Sequence, residues 1–329
     1  MSKNKVIVIG SNSFSGASFC DYLLSRDYEV FAASRSEEPK SVFLPYTNNK
    51  NKLKFYQYDV NTHISEIVEL IKKEKITKVV NYAAQSMVAQ SWQHPEHWYM
   101  TNTYSTIKLH NELRQLDFLD KYVHISTPEV YGSCNGLVKE HTNYNPSTPY
   151  ATSRAAADMS LKNFYDVYDF PVVFTRAANV YGQHQQIYRI IPKTIFASSL
   201  GEQLPLHGGG HSKRSFIHID DVSDATEKIM NGGKNGDIYH ISGKENITIR
   251  NLVEMILDGL DKNFDECVNI TEDRLGKDSA YLLDSSKLRD ELGWNDNISL
   301  KSGISQTVDW VKNNIDILKK QPLEYIHKA

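Results

Sequence analysis

Short runs of apolar and β-branched residues recur along the first half of the chain, and residues with helical spacing follow most of them. The runs are too short for helices and are apolar at nearly every position, which is typical of strands buried on both faces of a parallel sheet. Their alternation with helices predicts an α/β fold built on a doubly wound parallel Rossmann sheet. Six strands are predicted, at residues 5–10, 29–33, 55–58, 78–81, 122–126 and 172–176.

Helices are predicted where apolar residues recur at three- and four-residue intervals. One follows the first strand and continues to Leu24, a second covers residues 64–75, and a long one runs from about 98 to 116. Another begins at Tyr150, directly after Pro149, because proline is favoured in the first turn of a helix. The Lys- and Asn-rich residues 47–54 are predicted to form a solvated loop.

The pattern changes after residue 177. Gly, Pro, His and Gln become more frequent, and the predicted helices are shorter and interrupted, with the clearest at residues 252–260 and 302–314. A length of 329 residues also suggests two domains. We therefore expect a dinucleotide-binding Rossmann domain at residues 1–177 and a smaller, mixed domain, mainly for substrate, at residues 178–329. Some segments of the second domain are expected to return to the Rossmann sheet.

Composition and charge restrict the possible partners. A net charge of −3 gives no general attraction for nucleic acid or for an acidic membrane surface. The three cysteines are isolated, which argues against a disulfide framework or a structural zinc site and fits a reducing compartment. The sequence contains neither a signal-peptide pattern nor an apolar run of about 20 residues. We therefore expect a soluble, cytoplasmic protein.

A Gly-rich turn joins the first predicted strand to the first predicted helix. A turn in this place presents backbone N–H groups and the positive end of the helix dipole to a pyrophosphate. The position of the turn at the start of the α/β pattern predicts a dinucleotide cofactor. The residues expected to contact it are Gly10, Ser13, Phe14, Ser15 and Gly16.

Further cofactor contacts are expected where the following strands end, because ligands of doubly wound sheets bind at the carboxyl ends of the strands. The second strand ends in Ser34 and Arg35, with no acidic residue to bind a ribose 2′-hydroxyl. An Arg there can accommodate a 2′-phosphate, which favours NADP over NAD. The simpler interpretation is that Arg35 stacks on the adenine or lies in solvent. The third and fourth strands lead to the remaining predicted contacts, Asp59, Val60, Ala83 and Ala84.

Four residues near the fifth strand suit proton and hydride chemistry at a carbon–oxygen bond. Thr127 and Glu129 follow that strand, while Tyr150 and Arg154 are four residues apart on the next helix and so share one face. A fixed cation beside a phenol is expected to lower the pKa of the phenol and make it a better base. For this pair alone, a surface Tyr and a solvated Arg are the simpler interpretation.

His207 and His211 flank three consecutive glycines. Two histidines at this spacing could suggest a metal site, but a site needs further ligands. We interpret the segment as a Gly-rich hairpin turn and predict no metal.

Five segments, taken in order, resemble those of a known enzyme family. Residues 126–132, Ser-Thr-Pro-Glu-Val-Tyr-Gly, are similar to its Ser-Thr-Asp-Glu-Val-Tyr-Gly segment, and the other matches are at 83–86, 176–192, 213–221 and 273–278. The chain resembles the extended short-chain dehydrogenase/reductase superfamily and, within it, the nucleotide-sugar 4,6-dehydratases, most closely those of the dTDP-glucose type. The resemblance covers nearly the whole chain.

The resemblance implies a mechanism. Tyr150, assisted by Thr127, would take the proton of the sugar C4 hydroxyl while the C4 hydride passes to the nicotinamide. Glu129 would then remove the C5 proton, water would leave from C6, and the hydride would return to C6. Arg154 stands where the family has the lysine of its Tyr-x-x-x-Lys signature.

The resemblance also implies binding residues and an assembly. Asn102 would contact the cofactor. The nucleoside-diphosphate sugar would be held by Gln85, Ser86, Asn179, Arg189, Arg214 and Arg274, with the planar arginine groups suited to phosphate oxygens. Members of the family form homodimers through the two helices that correspond to those bearing Asn102 and Tyr150. The residues that allow the same packing here, or that could face the chain's own core, are Ala155, Ala156, Met159 and Leu161.

Three departures from the family pattern keep alternatives open. Ser13 replaces a glycine of the phosphate loop, Arg154 replaces the lysine, and Pro128 replaces the aspartate that serves the family as general acid. Glu129 could act as both base and acid, or a water could deliver the proton. If elimination does not occur, the chain would be a nucleotide-sugar 4-epimerase or 4-keto reductase/dehydrogenase. A weakened binding or scaffold protein is the remaining alternative.

Overall fold

The structure is a computed structural model that describes residues 4–134, 136–272 and 282–328. Numbered in chain order, the strands of the described residues are β1 Lys5–Ile9, β2 Glu29–Ser34, β3 Leu53–Gln57, β4 Lys78–Asn81, β5 Lys121–Ile125, β6 Leu137–Val138, β7 Val172–Ala177, β8 Asn179–Tyr181, β9 Leu204–His207, β10 Lys213–His218, β11 Ile238–Ile241, β12 Asn246–Thr248, β13 Val268–Thr271 and β14 Leu282–Leu283.

The helices connect these strands. The α-helices are α1 Phe14–Leu24, α2 Ile64–Glu74, α3 Pro95–Trp98, α4 Thr106–Leu113, α5 Pro149–Tyr168, α6 Ile190–Leu200, α7 Ile219–Gly232, α8 Ile249–Asp258, α9 Phe264–Cys267, α10 Ser286–Leu292, α11 Leu300–Asn313 and α12 Ile315–Leu318. Short 3₁₀ helices cover Ser41–Phe43, Pro45–Lys52, Ala89–Trp92, Pro128–Tyr131 and Gly208–Gly210.

The central sheet confirms the predicted fold class. Seven parallel strands lie in the order β11-β7-β5-β4-β1-β2-β3. The chain builds outward from β1 to β3, returns to the other side of β1 at β4, and then builds outward to β11. The direction reverses between β1 and β4, which is the switch point where doubly wound sheets bind their ligands.

Both faces of the central sheet are covered by helices, and β1 shows why. Val6 and Val8 point into one apolar cluster, which contains residues of α1 and α7. Ile7 and Ile9 point into a second cluster, which contains residues of α2 and α4. Because neighbouring side chains of a strand face opposite sides, a continuous apolar run supplies both clusters.

Residues after 177 contribute to the central sheet and also build a separate layer. β11 pairs with β7 at one edge of the sheet. β8, β10 and β12 form a second, three-stranded sheet, and a third apolar cluster packs α6, α8 and α11 together. The prediction of shorter, interrupted helices after residue 177 is wrong, since α7 and α11 have 14 residues each. Polar residues such as Asp221, Ser223, Thr226 and Thr307 are buried on these helices beside the apolar ones, so the apolar residues alone do not show the full length of the buried face.

The boundaries around β3 differ from the prediction. Residues 47–54 were expected to form a solvated loop, but Pro45–Lys52 is a 3₁₀ helix that packs against α1, and β3 begins at Leu53. Lys54 belongs to the strand although it is charged, because β3 lies at the edge of the sheet. Its ammonium group lies 4.7 Å from the centre of the Phe31 ring.

The long helix predicted from about 98 to 116 is divided into pieces. α3 leads into a π-helix, Tyr99–Ser105, and α4 continues to Leu113. A π-helix widens the turn and is often found at functional sites. Asn102 lies within it and is fully buried.

The Gly-rich segment at residues 207–211 is not a hairpin turn. β9 pairs with β13, whereas β10 pairs with β8 and β12, so the two strands that flank the glycines lie in different sheets. Three positive φ angles, at Gly208, Gly209 and Gly210, turn the chain from one sheet to the next. Within the described ranges, no helix has both the length and the apolar character to cross a membrane.

Candidate active site

Thr127 and Glu129 lie directly beyond the carboxyl end of β5. Thr127 is the N-cap of the 3₁₀ helix Pro128–Tyr131, and Pro128 occupies the first helical position, where its missing N–H is not needed. The Thr127 hydroxyl also donates a hydrogen bond to the Glu129 carboxylate. The local turn therefore holds the hydroxyl and the carboxylate together.

Tyr150 is brought to the same edge of the sheet by α5. That helix begins at Pro149, and Thr148 caps it by accepting a hydrogen bond from the Ala151 N–H. Tyr150 is 8% exposed and Thr127 is 4% exposed. The predicted group of hydroxyl, carboxylate and phenol is thus assembled by the first turns of two helices.

The predicted decrease of the Tyr150 pKa is wrong. Burial raises the pKa of Tyr150, and the negative charge of Glu129 adds to that effect, so the pKa rises to about 12. Arg154, a hydrogen bond with Thr127 and the charge of Arg189 all act in the opposite direction, as expected for the cation, but they are outweighed. The sequence indicated the cation but not the depth of burial.

Arg154 is itself buried and faces the end of β5. Its guanidinium donates to the carbonyl oxygen of Ile125 and lies 3.2 Å from Nε2 of His124. Desolvation by burial lowers the pKa of His124, and its Nε2 also lies 3.4 Å from a carboxylate oxygen of Asp158. Arg154 is therefore neither a surface residue nor solvated, which removes the simpler interpretation of the Tyr150–Arg154 pair.

A buried ion pair below these residues was missed by the sequence reasoning. Asp158 accepts hydrogen bonds from Arg176, at 2.8 Å, and from Ser126, at 2.6 Å. Asp158 follows Arg154 by four residues, so both lie on the face of α5 that contacts β5. The sequence did contain a signal for this pair: Tyr150, Arg154 and Asp158 are each four residues apart, and three polar residues on one helix face indicate a buried polar network.

The turn after β1 is packed tightly against the loop after β4 and within itself. Gly10 has a φ of +85°, and a Cβ there would lie 2.5 Å from the backbone nitrogen of Ala83. A Cβ on Gly16 would lie 2.4 Å from the carbonyl oxygen of Gly10. Ser13 caps α1 by accepting from the Gly16 N–H, and its hydroxyl donates to the Gly10 carbonyl. Ser13 therefore supports the turn that a glycine would leave more flexible.

The neighbouring predicted cofactor residues line the same edge of the sheet. The Ser34 hydroxyl accepts from the Asn12 N–H, and the Asn12 side chain donates to the carbonyl oxygens of Ser36 and Glu37. These bonds join the phosphate loop to the segment that carries Arg35. At the end of β3, Asp59 accepts from the Asn61 N–H. Of the remaining predicted cofactor residues, Phe14 and Val60 are buried, and Ser15, Ala83 and Ala84 are half-buried.

Asn102 fixes the loop after β4. Its side chain accepts from the Gln85 N–H and donates to the Gln85 carbonyl oxygen and to the Ser153 hydroxyl. Its amide is therefore used to hold Gln85 and α5 in place. The side chain of Gln85, predicted to bind substrate, bonds to the C-terminal residues Tyr325 and Lys328.

The predicted substrate residues come from several elements. Arg189 is the N-cap of α6, and its charge acts on Tyr150. Asn179 begins β8, whereas Arg214 lies on β10 and donates to the Lys213 carbonyl oxygen. Ser86 is exposed in the loop after β4. Arg274 lies outside the described residues.

Comparison with known proteins identifies the family. Residues 7–307 match the family model for GDP-mannose 4,6-dehydratase. The human dTDP-D-glucose 4,6-dehydratase is 32% identical over 274 residues, which cover 81% of this chain and 77% of the relative. The dTDP-glucose 4,6-dehydratase of Streptomyces antibioticus is 31% identical, with 96% of each chain covered.

Solved structures agree with this result. The dTDP-glucose 4,6-dehydratase of Streptomyces venezuelae, solved with NAD, has a TM-score of 0.88 at 29% identity and covers 95% of this chain and 98% of its own. The UDP-glucuronic acid 4-epimerase of Bacillus cereus, solved with its sugar nucleotide and NAD, has a TM-score of 0.85 at 25% identity, covering 94% and 99%. The preference for NADP drawn from Arg35 gains no support from these neighbours. The chain belongs to the nucleotide-sugar 4,6-dehydratase family of the extended short-chain dehydrogenase/reductase superfamily.

Proposed function

We propose that this chain catalyses the 4,6-dehydration of a nucleoside-diphosphate hexose, with NAD as its cofactor. The observation that carries the proposal is the contact between the Thr127 hydroxyl and the Glu129 carboxylate, next to the phenol of Tyr150. Removal of a proton at C5 needs a base in addition to the groups that oxidise C4, and Glu129 is that base. A 4-epimerase has no step that uses a carboxylate in this position.

The residues after β1 fit a dinucleotide. The close packing of Gly10 on Ala83 and of Gly16 on Gly10 holds this turn at the N-terminus of α1, where backbone N–H groups suit a pyrophosphate. When bound, the nicotinamide supplies reversible hydride transfer. NAD is proposed because it is the dinucleotide in the similar dehydratase from Streptomyces venezuelae. Ser34, Arg35 and Asp59 would contact its adenosine half.

Tyr150 acts as the base for the C4 hydroxyl, and its ionised form depends on its neighbours. Arg154, Thr127 and Arg189 favour the phenolate, whereas burial and Glu129 oppose it. Glu129 then takes the C5 proton and gives it to the departing C6 hydroxyl, which leaves as water. When C6 is afterwards reduced, C5 takes a new proton that comes from solvent. Pro128 has no proton to donate, so Glu129 performs both proton transfers in this proposal.

The second half of the chain would bind the nucleotide portion. Arg189 and Arg214, and Arg274 by its place in the sequence pattern, would contact the diphosphate, while Asn179, Gln85 and Ser86 would contact the sugar side. In this proposal residues 1–177 bind the dinucleotide and residues 178–329 mainly bind substrate. β11 comes from the second half of the chain but pairs with β7 in the central sheet. This pairing supports the expectation that some segments after residue 177 return to the Rossmann sheet.

A homodimer is also proposed. Large apolar side chains lie exposed on the π-helix and α5, among them Tyr104 at 54% and Met159 at 58%. Exposed apolar groups concentrated on two adjacent helices are typical of an interaction surface. Leu161 and Ala155 point instead into the chain's own core.

One observation favours a second candidate, a nucleotide-sugar 4-epimerase or 4-keto reductase. Pro128 stands where the dehydratase pattern has an acid, and a reaction without elimination needs no acid there. The fold does not distinguish a dehydratase from an epimerase, since a UDP-glucuronic acid 4-epimerase is among the similar structures.

Product analysis tests the proposal. Purified protein is incubated with NAD and, separately, dTDP-glucose, UDP-glucose and GDP-mannose. We expect one of these to lose one water, Glu129→Gln to accumulate reduced cofactor without water loss, and Tyr150→Phe to do neither. Dehydration that continues in Glu129→Gln would contradict the assigned base. Inversion at C4 without loss of water would support the second candidate.

A further inference from the structure

A short segment after α12 crosses the edge of the sheet where the dinucleotide is expected. We call residues 322–328 the strap. Its large aliphatic side chains, Leu323 and Ile326, remain exposed at 41% and 64%. A segment held by few buried apolar contacts opens at low cost compared with the folded core.

One end of the strap is fixed to the loop after β4. The Gln85 side chain donates to the Lys328 carbonyl oxygen at 2.7 Å, and its oxygen lies 3.5 Å from the Tyr325 hydroxyl. Asn102 holds the backbone of Gln85, as described above, so this attachment point is rigid. Gln85 follows β4 at the switch point of the sheet, which places the strap beside the expected dinucleotide.

A histidine contact reinforces this attachment. Nε2 of His327 lies 2.8 Å from Nδ1 of His97, and the His327 ring stacks on the buried Trp98 at 4.8 Å between ring centres. His94 stacks on both histidines. The rings lie face to face rather than converging on one point, and within the part of the chain that the structure describes no group of such residues could hold a metal. We call this contact between His97 of α3 and His327 of the strap the latch.

The rest of the strap reaches the substrate side. Glu324 forms an ion pair with Lys193 of α6 at 2.8 Å, and the Tyr325 ring packs edge-on against Tyr188. The charges of Arg35 and Arg189 both act on the Tyr325 phenol. Arg35 is an expected adenosine contact and Arg189 an expected diphosphate contact, so Tyr325 is within electrostatic reach of both.

We propose that the strap is an unassigned wall of the ligand site, in which Tyr325 positions the bound dinucleotide and the His97–His327 latch controls its release. This inference rests on the proposed function. A dinucleotide that is reduced and reoxidised within one catalytic cycle has no need to leave, so a latch that slows its release is compatible with the chemistry.

The test is the rate at which bound NADH is displaced by excess NAD, followed by the loss of NADH fluorescence without any sugar. Loss of one hydrogen bond is expected to accelerate release roughly fivefold to tenfold in His97→Gln and in His327→Gln. Because both changes remove the same contact, the double variant should be no faster than either single one. Tyr325→Ala should also release NADH faster, whereas Ile326→Ala, an exposed position of the same strap, should match the unchanged chain.

Three results separate the possible failures. Release rates within twofold of the unchanged chain in both histidine variants and in Tyr325→Ala would overturn the strap while leaving the proposed function intact. Additive effects in the double variant would overturn the latch. If the unchanged chain binds neither NADH nor NADPH, the proposed function fails together with this inference.

Discussion

Asp158 and Arg176 form a 2.8 Å ion pair in which neither side chain is exposed to solvent. Asp158 also accepts from Ser126, the residue before Thr127, and it lies on the same helix as Tyr150. The pair therefore connects α5 to the end of β5 and to β7. The pair thereby helps to hold α5, which carries Tyr150, against the end of β5, which leads to Thr127.

Replacement of Asp158 by Asn should lower the free energy of unfolding by about 3–5 kcal/mol, since it leaves a buried guanidinium without its counter-charge. Urea unfolding measures the change. Asp166→Asn is the matched control, because Asp166 pairs with Lys162 on the exposed side of the same helix. An exposed pair contributes at most about 0.5 kcal/mol. Equal losses in the two variants would contradict the assigned role of the buried pair.

The contribution of Asp158 should also depend on pH. Burial raises the pKa of Asp158, but hydrogen bonds with His124 and Ser126 and the charge of Arg176 outweigh this and lower it to about 2. Because the folded-state pKa is below the unfolded value of about 3.9, the stabilisation is present above that value and is lost as pH falls towards 2. The difference between the unchanged chain and Asp158→Asn should therefore shrink as the pH of the urea titrations is lowered below about 4.

Removal of the Glu129 charge should lower the pKa of Tyr150 from its present value of about 12, because that charge opposes the phenolate. The phenolate absorbance of Tyr150 is isolated by subtracting the titration of the same chain with Tyr150→Phe added. In Glu129→Gln this absorbance should appear at lower pH. Arg154→Met should move it to higher pH. A shift in the same direction for both variants would show that packing, rather than charge, controls this phenol.

The central sheet was predictable because each strand is a short apolar run that needs no distant partner to be recognised. β4 was predicted with its observed bounds, and α5 was predicted to begin next to Pro149. The proximity of Thr127, Glu129 and Tyr150, the proposed catalytic residues, was also predictable, since they lie at the starts of two helices that the sequence itself specifies.

Properties that depend on the surroundings were not predictable from local sequence. The depth at which Tyr150 is buried reverses the expected shift of its pKa. The different partners of β9 and β10, which replace the expected hairpin, are strands far away in the chain. Likewise, Asp158 gains its importance from Arg176 and His124, which belong to two other strands. These relationships are set by tertiary packing.

Gly10→Ala should prevent dinucleotide binding and destabilise the fold, because the added Cβ would meet the Ala83 backbone at 2.5 Å in a residue with a φ of +85°. Gly201→Ala is the matched control, with a φ of +74° and no atom within 4 Å of the added group. The control should lose only about 1 kcal/mol for its left-handed backbone. NADH fluorescence and thermal unfolding measure the two effects. Normal NADH binding by Gly10→Ala would contradict the assigned phosphate turn.

The most direct test of the central claim is the mass and position of deuterium in the product formed in deuterated water with NAD and each of the three sugar nucleotides. In the proposed mechanism the original C5 proton leaves with the water and C5 takes a new proton from solvent, so we predict a product lighter by one water that carries deuterium at C5. A product of unchanged composition with inverted C4, or one that has lost two hydrogens while reduced cofactor accumulates, would contradict 4,6-dehydration.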